Sequence, residues 1–123
     1  MELLTPELRA QLIANGRTPD TDRPPACKFF NPTGAGTWLI THADPDEPDR
    51  LACLADLGFG FPELGYVSLA ELQSFEGPFG LGIERDIFFD AEHPISIYAR
   101  AASAAERIVE TRSALDEAAR SRC

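Results

Sequence analysis

Thr37-Trp-Leu-Ile-Thr-His42, then Asp44-Pro-Asp-Glu-Pro-Asp49, then Leu51-Ala-Cys-Leu-Ala-Asp-Leu57: these three consecutive stretches decide the fold. The first is rich in β-branched and aromatic residues and reads as a strand. The second holds two prolines and four acids and reads as a loop closing a long hairpin. The third returns as the next strand. An antiparallel pair is therefore the nucleus from which the rest of the chain is placed.

Upstream, Ala26–Phe30 is a short apolar run that reads as another strand, joined to the hairpin by the turn-rich Asn31–Gly36. Before it, Thr5 and Pro6 fit an N-cap and first helical position, and Leu8, Leu12 and Ile13 recur at helical spacing. Asn15-Gly16 is expected to stop that helix in a left-handed turn. Downstream, Gly58–Gly65 reads as an apolar, glycine-rich loop. Ser68-Leu-Ala-Glu71 has the pattern of a capping box opening a short helix. Ile83–Phe89 reads as the last strand, with Ile83, Arg85, Ile87 and Phe89 on one face. One long final helix, capped by Ser96 and striped by Ile97, Ala101, Ala105, Ile108, Val109 and Leu115, is expected, frayed from Ala118 to Cys123. The fold class is α+β: a small antiparallel sheet of about four strands with helices on one face.

The 123 residues fit one domain, residues 1–123, with 44% apolar and 25% charged residues. Net charge is −9, from 20 acids against 11 bases, and the bases are scattered. That balance argues against direct nucleic-acid binding, which needs clustered cations, and suits a protein partner with cationic character. Cys27, Cys53 and Cys123 share no metal-ligand spacing, which suits a reducing, cytoplasmic setting. Cys27 and Cys53 are expected as buried thiols and Cys123 as exposed. No signal peptide and no membrane-spanning run is expected.

No established catalytic spacing is present, so the reading leans away from an enzyme. No serine sits in a nucleophile elbow, and Gly34-Ala-Gly36 lacks the lysine of a phosphate loop. His42 with Asp44 and Asp46 lacks the glycine and distal glutamate of a calcium loop. Four acids are the catalytic candidates: Asp56, Glu63, Glu84 and Asp86. If the last strand lay beside the third they would converge and could hold Mg²⁺ or Mn²⁺ for phosphodiester cleavage, with Lys28 steadying the developing charge. No cofactor is expected otherwise. The binding candidates are Phe59, Phe61, Pro62, Glu63, Leu64 and Tyr66 of the apolar loop, with Arg85. Those aromatics either tuck into the core or face a partner or small ligand.

Lys28-Phe-Phe-Asn-Pro32, Thr37-Trp-Leu39, Asp56-Leu-Gly-Phe-Gly-Phe-Pro-Glu-Leu-Gly65, Ser68-Leu-Ala-Glu-Leu72 and Ile83-Glu-Arg-Asp86 occur together in this order. With them the chain resembles the bacterial family called domain of unknown function 2958, from about Leu4 to about Ala99. The resemblance implies cargo of plasmids, integrative elements and phage-like regions, near anti-restriction or DNA-processing genes. Some similar sequences are labelled single-stranded DNA endonucleases. The family supplies no catalytic residue to carry over. The expectation is an accessory protein of a mobile element that binds another protein, with anti-defence as one role. The alternatives are a metal-dependent single-strand nuclease and a small-ligand-binding domain.

Overall fold

The computed structural model describes residues 2–120. The chain runs α1 (Pro6–Asn15), β1 (Cys27–Phe30), β2 (Thr37–Ala43), β3 (Arg50–Asp56), β4 (Glu63–Ser68), α2 (Leu69–Ser74), β5 (Glu84–Arg85), α3 (Ile95–Ala105) and α4 (Arg112–Arg120). The five strands form one antiparallel sheet in the order β4-β3-β2-β1-β5. The α+β architecture is as the hydrophobic pattern indicates, with one strand more. No helix among the described residues is long and apolar enough to cross a membrane.

The helices flank both faces of the sheet, not one. Trp38, Ile40, Cys27, Phe29, Leu51 and Cys53 pack against α1 and α2 through Leu12, Leu69 and Leu72. Leu39 and Leu54, paired across β2 and β3, pack on the other face against Ile97, Tyr98, Ala101 and Ala102 of α3 and Leu115 and Ala118 of α4. The cause lies in β2 and β3 themselves. Trp38, Leu39 and Ile40 are apolar on both sides of the pleat, and such a strand needs a cover on each face.

Local signals set most helix starts. The Thr5 hydroxyl accepts from Leu8 N at 3.1 Å, and Ser68 Oγ accepts from Glu71 N at 3.2 Å. Ser68 Oγ in turn donates to Asp49 Oδ2 at 2.6 Å, and Asp49 Oδ1 accepts from Ala70 N at 2.8 Å. The entry of α2 is thereby tied to the β2–β3 hairpin. Gly16 does not take the expected left-handed conformation: its φ is −67°. It is glycine because a Cβ there would lie 1.8 Å from the carbonyl oxygen of Ala43, so α1 packs its end directly on the sheet.

The last two elements depart further from expectation. The long final helix is two helices, broken where Glu106 turns left-handed (φ 61°) and Arg107 N donates back to Ala102 O at 3.1 Å. Thr111 Oγ1 then accepts from Ala114 N at 3.3 Å and starts α4. Ser96 lies inside α3 rather than capping it. Asp22 caps it from the distant loop between α1 and β1, accepting from Ser96 N at 3.1 Å and from Ser96 Oγ at 2.5 Å. The strand expected over Ile83–Phe89 pairs for only Glu84 and Arg85, because Asp86 Oδ1 accepts from Phe88 N at 2.9 Å and turns the chain away.

Candidate interaction surface

The β3–β4 hairpin carries the most unusual surface. Its loop, Leu57-Gly-Phe-Gly-Phe-Pro62, begins at Asp56, whose Oδ1 accepts from Gly58 N at 2.9 Å and whose Oδ2 accepts from Ile108 N at 2.9 Å. One carboxylate therefore fixes both the hairpin loop and the α3–α4 connection. Gly58 and Gly60 hold φ of +88° and +86°, open to glycine at little cost. A Cβ on Gly58 would meet the Ala35 Cβ at 2.6 Å, so this residue is pressed against the Asn31–Gly36 turn. The phenylalanines that alternate with these glycines point out: Phe59 is 77% exposed and Phe61 78%.

The apolar surface continues along β4. Its register with β3 is unbroken from Glu63 opposite Ala55 to Ser68 opposite Arg50. Among the described residues its outer edge pairs with no strand. Leu64 is 60% exposed and Tyr66 55%, and the Arg50 guanidinium carbon lies 4.0 Å from the centre of the Tyr66 ring. A Cβ on Gly65 would find nothing within 4 Å. Between Leu57 and Ala70 the only charged residue is Glu63. The expected loop of Gly58–Gly65 is thus a shorter loop followed by an edge strand, and its aromatics face solvent rather than the core.

A groove of about 280 Å³ runs beside β4, lined by Thr41, His42, Ala52, Leu64, Tyr66 and Ile95. β2 bulges beside it: Ile40 pairs with Cys53 and His42 with Ala52, leaving Thr41 extra. Thr41 Oγ1 donates to Ala52 O at 3.3 Å and lies 3.1 Å from His42 Nδ1. Burial, helped by the nearby Arg23 charge and opposed by Asp44, holds the His42 pKa below the ordinary histidine value.

The four acids do not meet. Asp56 ends β3 and serves as the backbone clamp just described. Glu63 opens β4, while Glu84 pairs opposite Phe30 on β5. Three inter-strand steps separate β3 from β5, roughly 14 Å at the spacing of a sheet. Lys28 and Asp86 are brought together, Nζ to Oδ2 3.6 Å, and Lys28 also reaches Glu110 at 2.6 Å. Arg85 stands at the opposite edge from Phe59 and Phe61, its Nη1 donating to Leu3 O at 2.6 Å. It ties the N-terminal segment to the sheet. Among the described residues no group of three or more His, Cys, Asp or Glu is placed to hold a metal ion. Asp44 Oδ1 accepts from Asp46 N at 2.9 Å, so the loop beside His42 uses its acid as a turn. Cys27 and Cys53 are buried, and burial pushes both thiols up to about 12, at Cys27 against the lowering effect of Arg85. Cys123 lies outside the described residues.

The sequence model of one family, described as protein of unknown function (DUF2958), matches residues 3–109. The chain belongs to the DUF2958 family. The match takes in all five strands and α1 to α3 and ends before α4, whose Leu115 and Ala118 complete the second core. No curated protein and no solved structure matches the chain.

Proposed function

We propose that this DUF2958 chain is a non-enzymatic protein-binding module, an accessory protein of a mobile element that engages another protein through the β3–β4 hairpin tip. One observation carries the reading: Phe59 and Phe61 stand more than three-quarters exposed on a loop whose glycines and Asp56 clamp hold them outward. Two fixed, solvated aromatic rings are a docking feature, since such rings dominate contact energetics once buried. Glu63 and Glu106 flank the tip, and the whole chain carries −9. The partner that fits is an apolar cup with a cationic rim, steered in by charge. An anti-defence role is one setting in which such an accessory protein would act.

The test is a photo-crosslinking side chain at Phe59 in the native host, with the same group at Glu7 on exposed α1 as control. A discrete adduct at Phe59 alone, lost in Phe61→Ser and weakened by salt, is expected. A Phe59 adduct pattern no different from that at Glu7 would end the proposal.

The nuclease alternative requires convergent acids, and β2 and β1 stand between Asp56 and Glu84. Metal-dependent cleavage of single-stranded DNA by pure protein, abolished by Asp56→Ala or Glu84→Ala, would revive it. The small-ligand alternative, with the aromatic loop as the ligand surface, has its support in a cavity of about 370 Å³ lined by Leu57, Phe59, Phe61, Glu63, Leu64 and Tyr66.

A further inference from the structure

We infer that β4 pairs with the β4 of a second copy of this chain, antiparallel about a two-fold axis at Gly65, joining two five-stranded sheets into one. This goes beyond the hairpin-tip reading and stands on different residues.

An unpaired strand edge is a template for another strand, and proteins blunt such edges with lysine, proline, bulges or a covering element. β4 has none of these. Its register is regular, Leu64–Ser68 holds neither charge nor proline, and both faces of its first four residues are exposed. The occupant follows from charge. Two chains of −9 repel each other except where charge is locally absent, and Leu64–Ser68 of β4 is such a place. A foreign partner recruited by charge would instead meet acids at its contact.

The register follows from what limits the edge. Pro62 has no N–H to donate, and at Ser68 the chain turns into α2. Glu63–Val67 remain, and their middle residue is Gly65. A two-fold axis there sets Leu64 of one copy opposite Tyr66 of the other, twice, as aliphatic–aromatic cross-strand pairs. Gly65 faces Gly65, with no side chain on either to hold the backbones apart. Glu63 faces Val67, so no like charges oppose. The two Phe61 side chains then lie roughly 27 Å apart along the strand axis, leaving both tips free.

The experiment uses Gly65→Cys in a Cys53→Ala, Cys123→Ser background, oxidised mildly, with Glu63→Cys in the same background as control. Opposed Gly65 positions lie within disulfide reach, whereas Glu63 positions are separated by roughly 14 Å. Cys53 pairs directly opposite Gly65 within the same chain and is removed for that reason, whereas Cys27 is buried on β1, three strands away. Most of the Gly65→Cys chain is expected as linked dimer, at least tenfold more than for Glu63→Cys. Sedimentation of the unmodified chain should show a dimer that tightens as salt rises, because screening relieves repulsion between the copies. Tyr66→Glu should weaken it tenfold or more while leaving the circular dichroism unchanged. A chain that stays monomeric at its highest soluble concentration overturns the inference. So does a dimer that links equally well through Glu63, or one indifferent to Tyr66→Glu. Binding at the tip weakens with salt, so failure of one reading is distinct from failure of the other.

Discussion

At one edge of the sheet β5 pairs for two residues, and at the other β4 pairs for six without a break. The β5 edge is blunted by several means. It is short, Asp86 turns the chain off it, Lys28 sits between Asp86 and Glu110, and Arg85 is committed to the Leu3 carbonyl. Beyond its first residue, Glu63, β4 carries only uncharged residues, with open space at Gly65 and two half-exposed large side chains. Both strands lie at the rim of one sheet under the same pressure to avoid stray pairing. Their difference teaches that exposure at β4 is a property of that edge and not of the fold, and that charge and turn chemistry have been withheld from it.

Two substitutions break the comparison most directly, because they attack the anchors of each edge. Arg85→Ala removes charged donors from the Leu3 carbonyl and loosens a segment whose Leu3 side chain is buried. The expected loss is about 2 kcal/mol, a fall in Tm of about 6–10 °C. Denaturant unfolding and a thermal scan check it, and a change below about 0.5 kcal/mol would mean that the β5 edge is not held by Arg85. Asp56→Ala acts on the other side. It leaves Gly58 N and Ile108 N without their acceptor and is expected to cost about 1.5 kcal/mol, with faster amide exchange over the hairpin tip. A metal-binding carboxylate would behave in the opposite way, since removing one from an empty acidic cluster relieves repulsion.

Much of the sheet was legible because its signals are local. Thr37–His42 and its return strand announced the hairpin, Thr5 and Ser68 announced their helices, and the apolar run ending at Phe30 announced β1. β4 was hidden by its own neighbours. The glycines and proline of Leu57–Pro62 read as loop and carried Glu63–Gly65 with them, though Leu64 and Tyr66 alternate with Gly65 and Val67 as a strand would. The helices on the second face were readable in principle from the two-sided apolar pattern of β2 and β3. The roles of Asp56, Asp22 and Arg85 were not, because each acts on backbone more than 50 residues away in sequence. The candidate acids failed to converge for the same reason: strand order is a long-range property that a motif does not encode. Phe59 and Phe61 were named from composition, but their outward pose depends on Ala35 and Ile108.

Smaller effects sharpen the contrast. Phe59→Ser with Phe61→Ser removes large apolar side chains that touch mainly solvent, so stability should change by less than about 1 kcal/mol. The same double change in a core pair such as Phe29 and Leu39 would cost several times more. A loss at the tip approaching that of the core pair would show that the rings pack inward in solution.

The smallest effect concerns how β4 ends. Hydrogen bonds from the Ser68 hydroxyl, then from Ala70 N, with a smaller contribution from the Arg9 charge, hold the Asp49 carboxyl below its usual value of 3.8 against a slight opposing effect of burial. The folded chain therefore favours the ionised form. Its contribution to stability is present above the unfolded pKa and is lost as pH falls through the folded one. Asp49→Asn keeps an acceptor but removes the titration. The gap in stability between unmodified chain and variant should hold steady from about pH 7 to about pH 5 and close progressively as pH falls below the usual carboxylate value of 3.8. Ser68→Ala should narrow that gap at neutral pH, because it removes the main cause of the shift. A gap that does not move with pH would mean that the exit of β4 into α2 is held by backbone pairing alone, as at Leu69 N to Asp49 O, 2.9 Å. In that case the β4 edge would be anchored at the hairpin tip by Asp56 and left without a side-chain lock at its far end.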